Sequence, residues 1–218
     1  MLSPRLKSIL DMTLRVQPTS VCDVGCDHAQ IPIQLVKNGV KKTIATDVRE
    51  GPLSAARENV SNSGFNDMIE LRLGDGLQPL CDNESDTVII AGMGGMAICD
   101  ILSCRRPAGI KHFILQPMKA ADKLRRFLST HGFRIIDEEI VVEGIHIYNI
   151  ILAEYGIDTD MSDFEVLIGK RLVEKRHPLL PVLLQKEIRT YKKRILGAPE
   201  EGKFLQMLID LEAEICRK

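Results

Sequence analysis

The 218-residue chain has no apolar run approaching the ~18 residues that would span a bilayer, so no membrane segment is expected. Its first ten residues, Met1 to Leu10, lack the long apolar core of a secretory leader. Net charge is nearly absent, at −1, so any nucleic-acid surface must be a local patch. There are six cysteines, Cys22, Cys26, Cys81, Cys99, Cys104 and Cys216, but no Cys-x-x-Cys pair and no disulfide-like rhythm. They read as reduced thiols of a cytoplasmic protein. Cys22, Cys26 and His28 lie close together, yet no second ligand pair completes a zinc site, so no metal is expected. Repeats and low-complexity segments are absent too. What remains is the 44% hydrophobic and 27% charged composition of a soluble globular protein, long enough for one domain and an appendage.

The rest is organised around Thr19 to Pro32. Val21, Cys22 and Val24 read as the end of a buried strand, Asp23-Val-Gly25 as a tight turn, and Asp27 and His28 as the opening of a helix. A strand-to-helix turn of this kind is where open α/β sheets bind ligands. A diphosphate would need Gly-x-Gly-x-x-Gly. Here only Gly25 survives, and Asp27 stands at the second glycine position, where it would repel phosphate. A cationic ligand that carries an amino acid and a ribose suits the loop better, and S-adenosylmethionine has that chemistry.

Further along, strands are expected at Lys42–Thr46, Met68–Leu73, Thr87–Ala91 and His112–Leu115, and helices around Ile31–Asn38, Leu53–Val60, Ile98–Leu102 and Leu124–Leu128. Leu2, Leu6, Ile9 and Leu10 suggest a short amphipathic helix before the first strand. Phe133–Val142 and Ile145–Ala153 form a hairpin around Glu143-Gly144. The expectation is therefore five βα units closed by an antiparallel hairpin. That is a Rossmann-like α/β methyltransferase sheet. A polar connector, Tyr155 to Met161, leads to a helical C-terminal part. One helix is expected from the capping box Ser162-Asp-Phe-Glu165 to His177. An antiparallel helix pair follows, joined at Gly197-Ala-Pro199 and marked by Leu180, Leu184, Ile188, Tyr191 and by Phe204, Leu208, Leu211. The domain division is 1–155 for the cofactor-binding part and 156–218 for the helical part.

Four strand ends carry candidate chemistry on one sheet edge. Asp23 and Gly25 follow the first strand, and Gly25 lets backbone approach the amino-acid end of the cofactor. Asp47 ends the second strand, 24 positions after Asp23, near the ~20 expected of an acid that grips ribose hydroxyls. Asp75, with Gly76, ends the third and can accept from an adenine amine. Gly92 and Met93 after the fourth face the cofactor, while Gly94 and Gly95 clear space for the acceptor. Singly, Asp75-Gly76 is an ordinary turn, Asp47 a helix cap, and Gly94-Gly95 tight packing. Their occurrence at successive strand ends favours the functional reading.

Four phrases, Asp27-His-Ala, Gly74-Asp-Gly76, Ala91-Gly-Met-Gly-Gly95 and Leu115-Gln-Pro117, with the acidic Asp137-Glu-Glu139 hairpin, resemble the bacterial tRNA (adenine22-N1)-methyltransferase family along the whole chain. The resemblance implies a class I methyltransferase core, a coiled-coil-like helical C-terminal domain, and SAM-dependent methylation of adenine N1 in tRNA. Gln116 and Pro117 then belong to the acceptor site. The family has Tyr where this chain has Gln30, and Asn where it has Met118; both flank the expected acceptor. Adenine N1 already carries a lone pair, so no base is required, and a carboxylate near the developing ring charge is what helps. Asp27 is the candidate for that role. His28 either orients Asp27, touches the acceptor, or has an ordinary packing or loop hydrogen-bond role.

The segment 169–194 holds nine Lys and Arg against Glu174 and Glu187, a local +7, and is the expected tRNA contact. A solvated helix face is the plain alternative. The expected assembly is a monomer. A non-catalytic SAM-sensing or RNA-binding module on the same fold is the competing function, disfavoured by the retained Asp27 and glycine loop. An NAD-dependent oxidoreductase is disfavoured by Asp27 and by the closing hairpin.

Overall fold

The computed structural model describes residues 2–157, 161–198 and 201–216. Seven strands form one sheet: β1 Ser20–Val24, β2 Lys42–Asp47, β3 Ile69–Leu73, β4 Thr87–Met93, β5 His112–Pro117, β6 Phe133–Glu143 and β7 His146–Tyr155. Their spatial order is β3-β2-β1-β4-β5-β7-β6. The first five run parallel; β7 is antiparallel to β5 and β6 to β7. The chain steps outward from β1 to β3, then returns to place β4 on the other side of β1. The loops after β1 and β4 therefore part at the switch point where such sheets bind ligands.

The helices of this region are α1 Pro4–Arg15, α2 Gln30–Lys37, α3 Glu50–Ser63, α4 Gly95–Cys104 and α5 Ala121–Thr130. Strand alternation sends Val21, Ile89 and Ile114 to one face, against Ile9, Met12 and Leu35 of α1 and α2. Cys22, Val24, Val88, Ile90 and Leu115 go to the other, against Ile98 and Leu102 of α4 and Leu124 and Leu128 of α5. Burial on both faces explains why the central strands read as continuous apolar runs. The expectation of five βα units is corrected at one place: β3 passes to β4 through turns, without a helix.

A second correction concerns the C-terminal part. The single helix expected up to His177 is two short ones, α6 Asp163–Ile168 and α7 Lys170–Glu174, broken at Gly169 with φ +104°. The capping box at Ser162 and Glu165 is present. The break lies over a buried ion pair, Arg125 Nε to Glu138 Oε1 at 2.6 Å. A β-bulge between Ile135 and Asp137 shifts the alternation of β6 by one and turns Glu138 inward. Arg125 also donates to Asn149 Oδ1 at 2.8 Å and to the Val166 carbonyl at 3.2 Å, while the Arg171 amide donates to Glu138 at 3.1 Å. A Cβ on Gly169 would sit 2.9 Å from Arg125 Nη2 and from both Glu138 oxygens. Only glycine lets the backbone approach this pair so closely.

The last two helices, α8 Leu180–Arg194 and α9 Gly202–Cys216, pack side by side through Leu184, Ile188, Tyr191 and Leu208, and against Ile140 of the hairpin. The connector's residues 158–160 and Pro199 of the expected turn lie outside the described residues. Among the described residues no helix is long and apolar enough to cross a membrane.

Candidate functional site

The carboxyl ends of β1 to β4 open into a cavity of about 780 Å³. Asp23, Gly25, Asp27, His28, Asp47, Asp75, Gly76, Gly92 and Met93 all line it. Each strand end delivers its residue because parallel strands terminate on the same edge. The volume lies in the range of ligand sites, roughly 300–1,000 Å³.

At the cavity's inner wall Asp23 is 5% exposed and Asp47 6%. Burial, and then the neighbouring Asp47 carboxylate, push the Asp23 carboxyl up to about 7. Asp47 Oδ1 accepts from the Arg49 amide at 3.0 Å, which holds the carboxylate at the strand end. Between them Gly25 turns with φ +75°, and its amide donates to the Thr46 carbonyl at 2.8 Å. A Cβ on Gly25 would meet only the movable end of the Met93 side chain, so it is the left-handed backbone of this turn that calls for glycine.

After Gly25 the loop is under backbone strain. Asp27 and Ala29 have φ of +47° and +54°, a left-handed conformation that costs L residues roughly 1–2 kcal/mol. The result is that Asp27 and His28 stand at the mouth, exposed, with His28 Nε2 3.7 Å from Asp27 Oδ1. The Asn59 side chain donates to the His28 carbonyl at 3.0 Å. Strain of this kind collects at functional loops.

The expected acceptor-side residues separate. Gly94, Gly95, Gln116 and Pro117 do not line the cavity. Gly95 is buried, its amide donating to the Lys119 carbonyl at 2.9 Å, and a Cβ there would collide with the Ala120 carbonyl. Gln116 is fully buried and acts one layer back. Its Oε1 accepts from the cavity-lining Gly92 amide at 3.1 Å and from Arg5 Nη1 at 2.8 Å. Its Nε2 donates to the Pro117 carbonyl at 2.9 Å.

Several lining residues are not among the sequence candidates: Arg5 and Leu6 from α1, Val48 and Arg49 after β2, Ala97, Asp100 and Ile101 from α4. Arg5 is the most consequential. Its guanidinium lies 5.6 Å from the Tyr148 ring centroid, and its amide donates to Glu143 at 3.0 Å. That bond satisfies a free N–H in the first turn of α1. Among the described residues no cluster of His, Cys, Asp or Glu could hold a metal ion.

The residues present suit S-adenosylmethionine. Two buried carboxylates in the cavity wall have the chemistry to hold a cation and a pair of hydroxyls, and the glycine turns leave backbone open to a ligand. No phosphate-binding glycine set competes with this reading.

Comparison with known proteins agrees. A family described as tRNA (adenine(22)-N(1))-methyltransferase, TrmK, matches residues 21–215. The chain is 37% identical over 139 residues to the tRNA (adenine(22)-N(1))-methyltransferase of Bacillus subtilis (strain 168), spanning 62% of this chain and 58% of that protein. A candidate tRNA (m1A22) methyltransferase of Streptococcus pneumoniae, solved in complex with S-adenosyl-L-methionine, superposes with a TM-score of 0.87 at 32% identity. It covers 97% of this chain and 100% of that one. The crystal structure of the B. subtilis m1A22 tRNA methyltransferase gives a TM-score of 0.81 at 29% identity, covering 99% of this chain and 98% of that one.

Proposed function

The chain belongs to the tRNA (adenine(22)-N(1))-methyltransferase family, and we propose that it methylates N1 of an adenine in tRNA, with S-adenosylmethionine as methyl donor. The observation that supports this most is the convergence of Asp23, Asp47, Asp75 and the Gly92 turn on one cavity, with Asp27 and His28 at its mouth. Held by these residues, S-adenosylmethionine would supply an electrophilic methyl, passed from sulfur to N1 with the S–C electron pair left on sulfur and the positive charge moved to the adenine.

The protein's part is to bind, orient and balance charge. Ionised Asp23 attracts the cationic end of the cofactor. Asp47 accepts from the ribose hydroxyls, and Asp75 from the adenine amine. The Gly92 amide is held in place by Gln116. Asp27, on its strained turn, presents a carboxylate to the ring that becomes cationic, which stabilises the transition state more than the ground state. His28 orients it. No group has to remove a proton before transfer. The C-terminal helices provide the wider tRNA contact.

The local +7 divides in two. Arg171 pairs with Glu174, Lys175 with Asp137 and Glu139, and Arg176 with Glu214. The contact therefore falls to α8. Methyl transfer from labelled S-adenosylmethionine to total bacterial tRNA tests the proposal. Incorporation into tRNA is expected; a protein that binds the cofactor but labels no RNA would be a sensor instead.

A further inference from the structure

A second groove, of about 680 Å³, runs between the tip of the β6–β7 hairpin and α8. Val142, Gly144, Ile145 and Ile147 form one wall. The other comes from Val182, Gln185, Lys186, Arg189, Thr190, Lys193 and Arg194 of α8. Their spacing of three and four places them along one helix face. The opposite stripe of α8, Leu184, Ile188 and Tyr191, is buried against α9 and the hairpin. Among the described residues no carboxylate lines the groove. Ile145 is 93% exposed at the hairpin tip. Val142 and Val182, which also line the groove, are exposed as well, so the apolar surface here is a patch shared by hairpin and helix, and it lies beside four cations.

The groove lies on the cavity's side of the sheet. Leu115 of β5 stands opposite Ile151 of β7, and the two strands run antiparallel. The hairpin turn at Gly144 must therefore project past the carboxyl end of β5, the edge where the cavity opens. Arg5 links the two places. It lines the cavity, its amide is held by Glu143 next to the turn, and its guanidinium lies over Tyr148.

We propose that this groove seats the tRNA segment next to the target adenine, with phosphates on Lys186, Arg189, Lys193 and Arg194 and an unstacked base against Ile145. This rests on the methyltransferase reading above. Cations without internal carboxylates favour a polyanion, and an interior adenine must leave its stack before N1 can be reached. An apolar wedge flanked by cations is a means of holding nucleic acid open. The hairpin, which closes the sheet, thus also separates the target base from its neighbours.

The test uses the full chain, total bacterial tRNA, and three variants. The first replaces Lys186, Arg189 and Lys193 with Ala. The second is Ile145→Ser. The third, a control, replaces Lys37, Lys41 and Lys111 with Ala on the opposite sheet edge. Each is measured for cofactor affinity, tRNA affinity against salt, and methyl transfer.

The first should weaken tRNA binding about tenfold or more and lower the salt slope by about 0.7 for each lost phosphate contact. Ile145→Ser should keep the salt slope and lower kcat on tRNA about tenfold. The control should match wild type, and all should bind the cofactor equally. Groove variants indistinguishable from the control, in an enzyme that methylates tRNA, would overturn the groove assignment alone and leave the surface to a protein partner. Wild type inert on tRNA would overturn the methyltransferase reading, and the groove with it.

Discussion

Arg5 Nη1 donates to Gln116 Oε1 at 2.8 Å, joining the first turn of α1 to the end of β5 at the cavity's edge. The same oxygen accepts from the Gly92 amide, so one buried side chain fixes both a cavity-wall turn and a cavity-lining cation. Gln116→Leu keeps the size but leaves these donors unmet, at about 1–3 kcal/mol. Thermal unfolding should show the loss, and calorimetry should show weaker S-adenosylmethionine binding. An unchanged midpoint would mean that Gln116 does not organise the turn.

Asp47→Ala removes the acceptor assigned to the ribose. Hydrogen bonds to a charged group are worth roughly 1.5–3 kcal/mol, so cofactor affinity should fall by about 10- to 150-fold. Unaltered affinity in calorimetry would take Asp47 out of the site.

The Asp23 carboxyl, pushed from 3.8 to about 7, gives a pH signature. Because its folded value is raised, the folded state keeps a proton that the unfolded chain has released between those pH values. Stability of the ligand-free protein should therefore fall as pH rises from 3.8 to about 7, by up to roughly 4 kcal/mol from this group, and level off above. A cationic ligand requires the ionised form, so cofactor affinity should rise across the same window, with proton release. Asp23→Asn should flatten both profiles relative to wild type. Parallel profiles would show that Asp23 does not titrate there.

Gly169→Ala places a methyl 2.9 Å from the Arg125–Glu138 pair at a φ of +104°. Strain of about 1–3 kcal/mol is expected from the backbone alone. Glu138→Ala, which leaves the arginine buried and unpaired, should cost about 3–5 kcal/mol. Denaturant unfolding would rank them, and a Gly169→Ala protein as stable as wild type would show that the break can move.

The cavity was legible at strand ends because its acids and glycines are set by local chain geometry: Asp23, Asp47, Asp75 and Gly92 each sit where a parallel strand stops. Arg5, Ala97 and Asp100 were not, since only tertiary packing brings α1 and α4 to that edge. Gln116 was read as touching the acceptor, but its burial turns it to holding Gly92 and Arg5. The helix break at Gly169 was hidden because the capping box at Ser162 reads as the start of one helix running to His177. Its cause is Glu138, turned inward by a bulge that has no sequence signature. The basic stretch looked uniform because pairing with Asp137, Glu139 and Glu214 involves residues distant in sequence.

Asp27→Asn keeps the shape of the strained turn and removes its charge. If that charge stabilises the forming adeninium, kcat should fall on the order of 10²-fold with cofactor affinity nearly unchanged. A fall in cofactor affinity with kcat preserved would instead make Asp27 a ligand of the cofactor's ammonium.

The most direct measurement is mass-spectrometric mapping of the nucleoside formed when the protein, S-adenosylmethionine and unmodified tRNA are incubated together. The structure and family membership predict 1-methyladenosine at a single position. Methyl groups on an exocyclic amine, on another base, or on no nucleoside at all would contradict the account.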